Sequence, residues 1–118
     1  MFFLIIQLFK IEYKEDILLA LRSCGIERGS TFEGSNLDKA LERHMPLFKG
    51  LIHHESEKER YSILITSLVD SKERAKAFLD LLREADIDVR KENILRLILV
   101  PALMVVDSDI DWEKGDKT

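Results

Sequence analysis

Large apolar residues crowd into three stretches of this chain, and elsewhere they recur mainly at helical spacing. Residues 2–9 read Phe-Phe-Leu-Ile-Ile-Gln-Leu-Phe, broken only by Gln7. Such a run predicts a central strand covered on both faces. Over 12–26 the period changes, and Ile17, Ala20, Leu21 and Cys24 form one stripe with Glu15, Asp16 and Arg22 outside it. That pattern predicts an amphipathic helix, with Gly25 as its stop. Residues 61–69 and 94–106 give two further strands, the last interrupted by Pro101, where the ladder must bend, break or reach an edge. Between them, Ala75, Phe78, Leu79, Leu82 and Ala85 predict a second helix, started by Asp70 or Ser71 with Glu73 completing a capping box.

The weaker signals lie in the middle. A short strand is predicted over 30–33, then a short helix capped by Ser35 or Asn36 and running to Arg43, ahead of Pro46. Residues 55–60 are almost wholly charged and read as a solvated excursion. The order is therefore βαβ, an insertion, then βαβ. Two right-handed βαβ units give an α+β fold of ferredoxin-like type, with a βαββαβ order, an antiparallel sheet and two helices on one face. The domain is expected over 1–106, followed by an acidic tail over 107–118. Strands this apolar are ill suited to a wet second face, so copies of the chain are expected to cover it for one another.

Composition narrows the function classes. At 118 residues the chain is one domain that can bury a core without disulfides or metal. Its formal net charge is −4, with no basic patch of the kind nucleic acid requires. The single cysteine, Cys24, excludes an intramolecular disulfide, fits a reducing cytoplasm and reads as a small buried hydrophobe. The apolar N-terminus is too short for a membrane span. No glycine-rich loop with lysine, nucleophile elbow or paired carboxylates at acid–base spacing is present, so catalysis is not expected.

Several residues resemble the PII-like signal-transduction proteins, the nitrogen regulatory protein PII superfamily. They are Leu4-Ile-Ile-Gln-Leu-Phe-Lys, the helix ending in Cys24-Gly25-Ile26, Ser30-Thr-Phe-Glu-Gly-Ser-Asn, and Ile98-Leu-Val-Pro-Ala-Leu-Met-Val-Val. The Met45-Pro-Leu-Phe-Lys-Gly run is similar to a segment of a divergent branch of that superfamily. The resemblance covers roughly 3–106. It implies a homotrimer that binds a small ligand between subunits and signals by presenting a loop, here 35–60, to a protein partner. The chain departs from the family pattern in having Gly34-Ser35-Asn36 at the loop base, no glycine over 87–93, and Asp107 and Asp109 after the last strand. These departures leave the ligand open between a nucleotide and another anion.

Gly34, Ser35 and Asn36 offer amides and a hydroxyl to such a ligand, and Lys49, Arg90 and Lys91 offer positive charge. For each group a bland reading stands beside this one: a turn with a helix cap, and a solvated turn. The three histidines, His44, His53 and His54, fall in or beside the insertion. They carry the alternative of a metal site formed across a trimer axis where three copies meet, on the ferredoxin-like trimer that the related copper-tolerance proteins share.

Overall fold

The computed structural model describes residues 1–37, 41 and 61–108. Four strands and two helices follow in the expected order: β1 (Phe2–Leu8), α1 (Lys14–Ser23), β2 (Gly29–Ser35), β3 (Tyr61–Val69), α2 (Lys72–Glu84) and β4 (Leu95–Pro101). The strands form one sheet in the order β2-β3-β1-β4, with every neighbouring pair antiparallel. This α+β arrangement is consistent with a ferredoxin-like fold. Each βαβ unit leaves a gap one strand wide, and the other unit fills it, which puts β1 and β3 at the centre.

Alternation along the strands separates two faces. Leu4, Ile6 and Leu8 are fully buried against the helices, joined by Ile63, Ile65 and Val69 of β3. Ile17, Ala20 and Leu21 of α1 and Ala75, Phe78 and Leu82 of α2 close that side. Ser67 is the buried polar exception, and its hydroxyl donates to the Arg28 carbonyl at 2.8 Å. The other face carries no helix among the described residues. Across it the register aligns Val100, Phe3 and Leu68 in one row, and Ile98, Ile5, Thr66 and Ser30 in the next. A third row holds Arg96, Gln7, Leu64 and Phe32. The helices cover β1 on one face, and no described element covers the second face.

Both helices end in the same way. Gly25 has φ +78°, and its N–H and that of Ile26 donate to Arg22 and Leu21. Asp86 has φ +61°, and its N–H and that of Ile87 donate to Arg83 and Leu82. This paired closure satisfies the last helical carbonyls and drives Ile26 and Ile87 into the core.

Several expected boundaries shift. The first helix is a 3-10 turn over Ile11–Tyr13 followed by α1, because Tyr13 N–H closes tightly onto Lys10. The second strand is longer than 30–33, since its pairing with β3 runs from Gly29 to Ser35. The last strand ends at Pro101, on an edge of the sheet where proline's missing N–H costs no ladder bond. After Ala102 N–H donates to the Met1 carbonyl at 3.0 Å the chain leaves β1, so the strand does not extend to 106. Ser71 caps α2, accepting from Arg74 N–H at 3.3 Å, while Asp70 pairs with Arg74 in place of a capping box with Glu73. Ala85 lies outside the buried stripe because α2 has already ended there. Leu37 and Leu41 are helical, but the rest of the expected short helix and the tail beyond 108 lie outside the described residues.

Candidate functional site

The strand order brings four chain ends together at one end of the sheet: the close of β2 and β1, and the start of β3 and β4. At the β2 side of this end, Gly34 and Ser35 line an open cleft of about 320 Å³ with Tyr61, Ser62 and Ile11. Glu33 borders it and lies 3.7 Å from Lys14. Gly34 is informative because nothing among the described residues demands it. A Cβ placed there meets no atom within 4 Å, and the residue is not among the positive-φ glycines. Glycine weakens a strand, and one inside a strand often marks close approach by a ligand or another backbone.

Arg90 and Lys91 reach the same sheet end from the other side. Their turn leads into β4, whose start is tied to β1 by Phe9 N–H donating to the Ile94 carbonyl at 2.8 Å. Asp88 organises the turn, accepting from Arg90 N–H at 3.1 Å and lying 3.9 Å from Lys91 Nζ. Both basic side chains are exposed. β2 and β4 are opposite edges of the sheet, separated by three strand spacings, or about 14 Å. One chain therefore does not gather Gly34 and Ser35 with Arg90 and Lys91 into one pocket. Asn36 follows Ser35 directly at the β2 end. Lys49, His44, His53 and His54 lie outside the described residues. Among the described residues, no three His, Cys, Asp or Glu side chains group to hold a metal.

A larger cleft, about 680 Å³, opens at the opposite end of the sheet. Its charged wall pairs Arg28 with Asp107 at 3.4 Å and Arg74 with Asp70 at 2.8 Å. The Arg74 guanidinium, hydrogen-bonded to Asp70, holds that carboxyl below its ordinary value, with a smaller contribution from the Ser71 hydroxyl. Burial pushes the Cys24 thiol up, against the pull of Arg74. The Asp70–Arg74 pair has the helical i,i+4 spacing that could have flagged it in the sequence. Arg28 and Asp107 are 79 residues apart, and no local signal joins them.

No protein-family model and no curated protein matches the chain. Among solved structures, it is similar to the crystal structure of a DUF3240 family protein from Shewanella baltica. The two share 14% identity over 90% of this chain and 94% of that one, with a TM-score of 0.54. At that identity the likeness concerns the fold alone. Among the described residues no helix is long and apolar enough to cross a membrane.

Proposed function

We propose that the chain is a non-catalytic, PII-like regulatory protein of the cytoplasm that works as a homotrimer. It takes a small anionic ligand, a nucleotide or another anion, in clefts between copies, and presents 35–60 to a protein partner. The observation that carries this reading is Gly34: a glycine in an edge strand, at the mouth of a cleft, that neither its backbone conformation nor packing among the described residues requires. Arg90 and Lys91 at the same sheet end, on the opposite edge, support it. A β2 edge of one copy beside a β4 edge of another would bring amides and cations together, as an anion requires. The apolar sheet face that no described element covers supports assembly.

The test is a thermal-shift panel on the full chain with ATP, ADP, AMP, inorganic phosphate, zinc and copper, followed by calorimetry. At least one anion is expected to raise the melting temperature. Gly34→Val and the double change Arg90→Ala with Lys91→Ala are each expected to weaken that anion tenfold or more. Absence of any anion effect, or binding that both variants leave intact, would overturn the reading. A response to metals alone would favour the histidine-based alternative.

A further inference from the structure

Beyond β4 the chain does something that its own fold does not explain. Leu103 is 100% exposed, Met104 64% and Val106 76%. Apolar side chains this exposed usually belong to loose termini, yet this segment is fastened on both sides. Ala102 N–H donates to the Met1 carbonyl at 3.0 Å, and Asp107 lies 3.4 Å from Arg28. The segment thus crosses the end of the sheet from the β4 edge toward the start of β2, with Leu103, Met104 and Val106 exposed and Ala102 and Val105 half-buried.

We propose that 102–107 is an assembly strap, whose Leu103 and Met104 seat on the helix-free apolar sheet face of a second copy of this chain. The inference deepens the assembly part of the reading above and rests on it. Three observations select a second copy. The strap leaves β4 directly after Pro101, at the sheet end where Val100, Phe3 and Leu68 form the last outward apolar row. That surface is depleted in charge: of the outward residues on the four strands only Arg96 is charged, at the far end from the strap, in a chain that is 34% charged. Depletion of charge marks the centre of a protein interface. The area also fits. Four strands of about seven residues make a face of roughly 19 by 23 Å, or about 440 Å². Two such faces bury about 900 Å², below the roughly 1,200 Å² at the lower end of stable interfaces, and the strap supplies the shortfall. In a closed ring each copy gives its strap to one neighbour and receives another on its face.

Sedimentation velocity on the full chain at tens of micromolar tests this. The wild type is expected to be oligomeric, and the double change Leu103→Glu with Met104→Glu to be monomeric, with association weakened tenfold or more. Leu19→Glu, an exposed position on the outside of α1, is expected to assemble as the wild type does. A strap variant that still assembles while Ile98→Glu dissociates overturns the strap and leaves the assembly reading standing. A monomeric wild type overturns both, including one that floats with anionic phospholipid vesicles. If a variant fails to fold, hydrogen exchange of the wild type decides: protection of 102–106 must rise with protein concentration, and unchanged protection refutes the strap.

Discussion

Arg74 Nη1 donates to the Cys24 carbonyl at 2.8 Å, joining the start of α2 to the end of α1 across fifty residues of chain. The same guanidinium grips Asp70 through Nε at 2.8 Å and Nη2 at 3.0 Å. Arg74→Ala should lower the melting temperature at pH 7. Asp70 has its folded-state pKa lowered, so its contribution is full above the ordinary carboxylate value near 3.9 and fades as pH falls through the folded value. Melts from pH 7 down to 2 should show the gap between wild type and variant narrowing below about pH 4. The pair is largely exposed, so the pH-dependent part is small and should shrink further with salt. A gap that is constant in pH would mean that Asp70 takes no part.

The two helix ends offer a matched comparison. Gly25 and Asp86 occupy the same left-handed position, and only glycine does so without penalty. Gly25→Ala should cost about 1–2 kcal/mol from conformation alone. Its new Cβ would also press on Arg74 Nη1. Asp86→Gly should add a few tenths to about 1 kcal/mol, because relief of the left-handed strain exceeds the added freedom of the unfolded chain. Denaturant midpoints at constant slope measure both.

Gly29 and Gly34 sit in the same edge strand with opposite needs. A Cβ at Gly29 would run into the Thr66 carbonyl and Ser67, so Gly29→Ala should loosen β2 from β3. Hydrogen exchange should speed up at the β2 amides, with a fall in melting temperature. Gly34→Ala meets open space and should stay within about 0.5 kcal/mol of the wild type. Equal losses from both would remove the argument that Gly34 is free of structural duty.

Phe78 is fully buried where α2 meets the sheet. Phe78→Ala should destabilise by about 3–5 kcal/mol, the usual cost of an emptied aromatic site in a core. Chemical denaturation provides the number, and a loss under 1 kcal/mol would place Phe78 outside the core.

Cys24 should alkylate slowly. Burial raises its pKa more than Arg74 lowers it, so little thiolate is present at neutral pH. Iodoacetamide at pH 7 should react more slowly with the folded protein than with a small thiol, and denaturant should restore the rate. Fast labelling of the folded chain would contradict the burial.

Much of the architecture could be read from local pattern. Continuous apolar runs placed β1 and β3, period-3.6 stripes placed both helices, and Gly25 and Pro101 marked real ends of elements, because each feature acts through backbone geometry within a few residues. The site was less legible. Gly34 and Ser35 were identifiable, but not that two strands would separate them from Arg90 and Lys91. Arg28 with Asp107, and Arg74 with the Cys24 carbonyl, join residues far apart in the chain, where sequence spacing gives no guidance.

The amino-acid order alone determined which segments are strands or helices and that half the sheet would be too greasy to stay wet, since hydrophobic period and residue shape are local properties. Tertiary structure decided which ends meet: β1 and β3 at the centre, Gly34 on one edge and the basic turn on the other, and the 102–107 strap lying across the sheet end. Those outcomes follow from how two βαβ units interleave, and that is settled only when distant segments compete to bury the same apolar area.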